Sequence, residues 1–345
     1  MNSLERMIKA LNHEEADHVP VYPIVNSVSR KTLGISYEEW TKDIKLCGDA
    51  IIKITDELEL DCICTLVDLS VEAADFGQEL LYFEDKAACP NHHNRVIKDV
   101  EDYANVKAVD PTKTHRMSEH IELARYLVEQ RGDVKPVVGF VFGPLGILGM
   151  LRGQEDLFIE LLTDPEEVHP ALKEITKTLI QFCDALIDAG VHAIMFDTLF
   201  ASTSIMSEAM WEDFEGDYIQ EIADHVHARG CMVMLHNCGQ GAYFEAQIKR
   251  MNPCLISFLH VPHGSNSYEE VKEKFGDKIT LMGAIDPGWM MVATEDEIRE
   301  ASKKLIDMYK KDGGFVLATG CEYPACLDFG KARAMVEVAK EYGKY

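Results

Sequence analysis

The chain contains no Cys-x-x-Cys pair, although it has ten cysteines. A closed structural zinc site wants four ligands and usually draws them from such pairs, so none is indicated. No Gly-x-Gly-x-x-Gly follows the first apolar run. Gly143-x-x-Gly146-x-x-Gly149 has neither the dinucleotide spacing nor the Lys-Ser/Thr of a phosphate loop. It is expected to be a flexible, sterically open loop. Basic residues are few: 34 Lys and Arg stand against 59 Asp and Glu, a formal net charge of -25. That balance argues against nonspecific binding to nucleic acid or to an anionic membrane, and it also serves solubility. Long apolar runs are missing. The longest, Pro136 to Leu151, is broken by Gly139, Gly143, Pro144, Gly146 and Gly149, too short and interrupted to span a bilayer. The opening Met1-Asn2-Ser3-Leu4-Glu5-Arg6 has no apolar signal core. A cytoplasmic protein is expected, with cysteines mostly reduced.

No linker or low-complexity segment divides the 345 residues, which are expected to form a single domain, 1–345. Residues 3–12 predict an N-terminal amphipathic helix capped by Ser3. Apolar runs at 19–24 and 62–67 read as strands, with a helix over 37–57 between them. A hairpin excursion is expected near 77–98, with arms at 77–84 and 95–98. A regular alternation follows. Strands at 136–142, 192–196, 231–235, 255–259, 279–283 and 315–319 are separated by helical periodicity, and a last helix covers 329–342. Strands alternating with helices in this number predict an α/β fold, a (β/α)8 TIM barrel. A doubly wound open sheet is the alternative.

In a barrel the carboxyl ends of the strands build the site. Those ends carry Asp68, Gly143, Asp197, His236, Cys238, His260, Asp286 and Cys321. His236-x-Cys238 with the distant Cys321 makes a three-ligand nitrogen and sulfur set suited to zinc with one position open. Two thiolates would leave the ion a mild Lewis acid, suited to keeping a substrate thiol deprotonated. The same pattern is also that of two buried strand-end cysteines and a hydrogen-bonded histidine. Asp68, Glu72 and Asp197 are candidates for catalysis, although strand-end aspartates often cap the next helix. Gly143 and Asp286 are candidates for contacting a cofactor. Glu322, His260 or water could supply a fourth ligand, with His263 and Cys326 as minor alternatives. Trp289, Met290 and Met291 could form an apolar lip, and Tyr22, Phe142 and Phe200 could serve the same purpose. Core packing is the competing reading for all of these.

Several motifs together resemble the uroporphyrinogen decarboxylase superfamily along nearly the whole chain. They are Glu5-Arg6-Met7-Ile8-Lys9-Ala10-Leu11-Asn12, Asp17-His18-Val19-Pro20-Val21 and Asp68-Leu69-Ser70-Val71-Glu72-Ala73. Phe196-Asp197-Thr198, His236-Asn237-Cys238-Gly239, Gly283-Ala284-Ile285-Asp286-Pro287 and Gly320-Cys321-Glu322-Tyr323-Pro324 complete the set. Within it the chain is most similar to the corrinoid-dependent methyltransferases, such as the methylcobalamin:coenzyme M methyltransferases. That resemblance implies zinc on His236, Cys238 and Cys321. It implies methyl transfer between a corrinoid, methylcobalamin or a small corrinoid-binding protein, and a small thiol or methyl donor. The decarboxylase branch carries an Arg-rich segment after the first strand. Here the segment reads Ile24-Val25-Asn26-Ser27-Val28-Ser29-Arg30-Lys31. A decarboxylase with Asp68 central is the first alternative, and a non-catalytic corrinoid-binding protein the second.

Overall fold

The computed structural model describes residues 1–345. Its centre is an eight-stranded parallel sheet curled into a (β/α)8 barrel. The strands are β1 (Val21–Tyr22), β2 (Ile63–Cys64), β3 (Val137–Phe142) and β4 (Ala193–Asp197). They continue with β5 (Met232–Asn237), β6 (Leu255–Phe258), β7 (Thr280–Ile285) and β8 (Phe315–Thr319). Their order around the sheet is β1-β8-β7-β6-β5-β4-β3-β2. The two end strands meet through one backbone bond and the side chains of Asp61 and Asn26. Asp61 N–H donates to Val21 O at 3.1 Å, and Val21 N–H donates to Asp61 Oδ2 at 2.9 Å. Higher up, Asn26 Nδ2 donates to Cys64 O at 2.9 Å and to Leu66 O at 2.7 Å. Nearly every strand residue is buried, as expected for parallel strands covered by helices outside and packed side chains within.

The N-terminal helix, α1 (Ser3–Leu11), closes the amino end of the barrel. Its cap is Asn2, one residue earlier than expected. Asn2 Oδ1 accepts from Glu5 N–H at 2.8 Å and Glu5 Oε2 accepts from Asn2 N–H at 2.9 Å, a reciprocal capping box. Three other expectations are corrected. The helix over 37–57 breaks at Asp43, whose extended backbone ends one helix and whose side chain caps the next, Ile44–Leu58. The hairpin pairs Leu80–Leu81 with Cys89–Pro90, not with 95–98. The glycine-rich stretch after β3 is a helix, Pro144–Arg152, with Pro144 in the first turn where a missing N–H costs nothing. A Cβ on Gly146 would lie 2.5 Å from the Phe142 ring, so glycine is what lets this helix pack so tightly. The chain has no helix long and apolar enough to cross a membrane.

Candidate metal centre

Register decides which residues meet. Phe142, Asp197, His236 and Ser257 are successive cross-strand partners on β3, β4, β5 and β6, in a row at the carboxyl ends. Cys238 follows directly on β5, two residues after His236, and both line the cavity at the barrel mouth. Asn237 between them is buried and fastens the strand end. Its Nδ2 donates to Thr198 O at 3.0 Å and Ala201 O at 3.2 Å, and its Oδ1 accepts from Gly239 N–H at 2.9 Å. Cys321 arrives just past β8. Gly320 N–H donates to Ile285 O at 2.8 Å, and a Cβ there would lie 2.6 Å from Leu259 Cα. Only glycine allows that approach. The ligand atoms of His236, Cys238 and Cys321 all lie within 4.8 Å of one another. His236 Nδ1 is engaged with Ser257 Oγ at 3.0 Å, which leaves Nε2 as the nitrogen available to the thiols.

The electrostatics of the three groups are linked. Hydrogen bonding from Cys238 pulls the Cys321 thiol well down, against burial and with help from His236. That bond and burial push Cys238 up. Burial alone would lower His236, but Cys321 and Asp197 raise it overall. Asp197 is buried, and its Oδ1 has no hydrogen-bond partner. Burial pushes it up to about 7, His236 opposing. An unpartnered buried oxygen is costly; beside an imidazole and two thiols, it fits a site whose occupant brings positive charge or a donor. The donor set fits zinc with an open position, by ligand type and by number.

Asp197, His236, Cys238 and Cys321 share one cavity with Asp68, Glu322 and Tyr22. Its volume is about 220 Å³, 19 of its 23 lining residues are hydrophobic, and no Lys or Arg is among them. Asp68 accepts from Ser70 N–H at 2.9 Å, Ser70 Oγ at 2.7 Å and Arg116 Nη2 at 2.8 Å. Glu322 accepts from Ser27 N–H at 2.7 Å, and burial pushes it up to about 7. Glu322 stands outside the three-atom cluster.

Other candidates do not reach the cavity. Glu72 is buried and absent from the lining, and its Oε1 accepts from Phe142 N–H at 3.0 Å. It holds the end of β3 and is not placed to touch a substrate. Gly143 is a packing position: its N–H donates to Asp197 O at 2.8 Å, and a Cβ would lie 2.4 Å from Glu215 Oε1. Asp286 is exposed and caps a turn, accepting from Gly288 N–H at 2.7 Å. His260, His263 and Cys326 are exposed, outside the ligand cluster. Trp289 and Met291 are exposed while Met290 is buried. Phe142 and Phe200 are core residues, absent from the lining.

Three residues that matter here were not read from the sequence. Ser257 orients His236, but a serine in an apolar strand carries no distinguishing pattern. Arg116 pairs with Asp68 across 48 positions, and only the fold brings them together. Glu215 sits in a π turn, Glu212–Gly216, within the helical stretch that separates β4 from β5. It accepts from Trp211 Nε1 at 2.8 Å and Leu145 N–H at 3.1 Å.

Glu72 gives a stability prediction. Burial pushes its carboxyl from the usual 4.5 up to about 8, so the folded chain holds a proton that the unfolded chain releases. The sign follows from linkage: between those two values the native state binds more protons, so stability falls as pH rises. Glu72→Gln is expected to flatten that fall between about pH 5 and 8. Melting temperature against pH for both proteins checks it; parallel curves would contradict it.

Residues 2–342 match the family described as uroporphyrinogen decarboxylase (URO-D). The chain is 23% identical, over an alignment 369 positions long, to the uroporphyrinogen decarboxylase of Thioalkalivibrio sulfidiphilus, covering 99% of each. It is 24% identical over 235 residues to the methylcobamide:CoM methyltransferase MtaA of Methanosarcina barkeri, covering 68% of this chain and 66% of that one. A solved methyltransferase from Methanosarcina mazei has the same fold, with a TM-score of 0.83 at 21% identity and 99% of both chains covered. Relatives of both kinds, decarboxylase and methyltransferase, thus lie at similar distance. The family match runs almost from end to end, over the same barrel that carries the His-Cys-Cys cluster, and the chain belongs to the uroporphyrinogen decarboxylase family.

Proposed function

We propose that this protein is a zinc-dependent methyltransferase that moves a methyl group between a corrinoid and a small thiol or methyl-donor substrate. The observation that carries this reading is the convergence of His236, Cys238 and Cys321 within 4.8 Å at the mouth of the cavity. The likeness to a methylcobamide:CoM methyltransferase supports it. Those three residues would hold zinc. Bound there, the ion would supply Lewis acidity that favours the deprotonated form of a thiol at the open position.

The protein's own groups do the rest. Ser257 fixes the imidazole, and Asn237 and Gly320 fix the two strand ends, so the ligand atoms are pre-positioned. The apolar wall excludes water from the reacting atoms. In this reading Asp197 Oδ1, buried and unpartnered beside His236, would accept the proton of an entering thiol. In the thiol direction a sulfur–carbon bond forms and the cobalt–carbon bond breaks. Its electron pair stays with the corrinoid, and the thiol proton passes to Asp197 or solvent. The corrinoid is a co-substrate, carried in this reading by a separate small corrinoid-binding protein.

A decarboxylase acting on a polycarboxylate is less well supported. Such a substrate needs cations, and the cavity has none in its wall while offering it Asp68, Asp197 and Glu322. Elemental analysis of the purified protein tests the metal: about one zinc per chain is expected. Turnover of uroporphyrinogen that is insensitive to chelator would instead favour decarboxylation.

A further inference from the structure

The interior of a (β/α)8 barrel is normally filled by layers of bulky branched side chains. Here a cavity follows the axis instead. Cys238, Asp197 and Glu322 line its upper end; Met7, Cys62 and Leu255 line its lower end. Met7 belongs to α1, the floor of the barrel. Thr280 Oγ1, at the start of β7, donates to Ala10 O of that helix at 3.0 Å, and Arg6 Nη1 donates to Asp61 Oδ1 at 2.5 Å. The cavity therefore reaches from the site at the mouth to the helix that plugs the opposite end.

The wall between these ends is distinctive. Met195 and Met234 are direct cross-strand partners on β4 and β5, and Met282 follows on β7. All three are buried and line the cavity, with Phe140 completing the wall. Unbranched thioethers adapt their shape to what they contact. A barrel needing only stability would have Val, Ile or Leu at these layers. The lining contains no Lys or Arg, and Arg116, bonded to Asp68, stands behind it. A sulfonate, carboxylate or phosphate on the tail of a substrate would be desolvated along this wall with no Lys or Arg side chain to meet it. At about 220 Å³ the space lies below the range for drug-sized ligands.

We propose that the substrate of this site is a small uncharged molecule with an apolar tail, an alkyl or aryl thiol or its methylated counterpart. The tail descends the barrel axis past Met195, Met234 and Met282 toward Met7. The identity of the reacting end rests on the function proposed above, whereas recognition of the tail rests on the cavity alone.

The test uses the full-length, zinc-loaded protein with methylcobalamin and a graded set of thiols: ethanethiol, butanethiol, hexanethiol, 4-mercaptobutanoate and 4-mercaptobutylamine. The expected kcat/KM rises about fourfold for each added methylene until the cavity is full. Butanethiol is expected to exceed both charged thiols of the same length by roughly a hundredfold. A second arm needs no turnover: calorimetric titration with butyl methyl sulfide, with chelator present. Binding with a negative heat-capacity change is expected. Preference for a charged thiol, or absence of sulfide binding, overturns the proposal. Sulfide binding without turnover of any thiol upholds the tail site and counts against the methyltransferase reading.

Discussion

Cys321→Ala is expected to remove zinc binding and to lower methyl transfer by about three orders of magnitude, the scale of losing several kcal/mol of charge stabilisation at the reacting sulfur. The same holds for Cys238→Ala. The size of the effect comes from the ligand count. With three protein ligands and one open position, loss of one leaves two, too few for a stable catalytic site. The fold should survive, because both cysteines are half-buried residues of the cavity wall and not part of the packed core. Without metal, wild type and variant should melt at similar temperatures. Added zinc should stabilise wild type by mass action and leave the variant unmoved. Cys326→Ala is the matched control: that thiol is exposed and lies outside the cluster, so both zinc content and rate should stay at wild-type values. Full zinc content and full rate in Cys321→Ala would remove it from the ligand set.

Arg116→Met should cost about 3–5 kcal/mol of folding stability, the usual penalty for leaving one partner of a buried ion pair alone. The Arg116 and Asp68 side chains are 4% and 0% exposed. Nothing in the cavity wall can replace the guanidinium, since no Lys or Arg lines it. Arg116 also donates to Tyr82 Oη at 3.2 Å, which ties the hairpin excursion to the same ion pair. Denaturant unfolding of Arg116→Met, Asp68→Asn and the double variant checks the prediction. The double variant should lose less than the sum of the singles, because the two groups act as one unit. Additive losses would show that the two side chains do not depend on each other. Asp68 lines the cavity, so Arg116→Met should also depress turnover by releasing a carboxylate that is now fixed by three donors.

How much of this was legible in the sequence depended on which interactions set each element. The barrel strands were readable because a parallel strand buried on both faces is a continuous apolar run, ending where the chain turns polar. Phe315–Thr319 and its following Cys321 are of that kind. The His236-x-Cys238 spacing was readable too, since the apolar run before it puts both residues at the end of one strand. What depended on contacts between distant segments was hidden. Pro144–Arg152 looks like a loop because its glycines lower helix propensity, but they are the residues that let it press against Phe142 and Phe200. Gly143 and Asp286 end strands, as site residues often do. Packing against Glu215 explains the first, and the cap on Gly288 explains the second. Glu72 shares a motif with Asp68, but one short helical turn separates a carboxylate in the cavity from one bonded to Phe142 N–H behind it. The apolar axis could not be foreseen at all. Met195, Met234 and Met282 read as ordinary core positions until the register sets them around an unfilled space.

The central claim is metal-dependent methyl exchange with a corrinoid at His236, Cys238 and Cys321. The absorbance of methylcobalamin, followed under anaerobic conditions with the purified protein and a neutral thiol, tests it most directly. The account predicts conversion of methylcobalamin to the demethylated Co(I) form only when both protein and thiol are present, lost after chelation and restored by zinc. A zinc-replete protein that leaves the methylcobalamin spectrum unchanged with every thiol and methyl acceptor offered, or that demethylates it equally well after chelation, would contradict it.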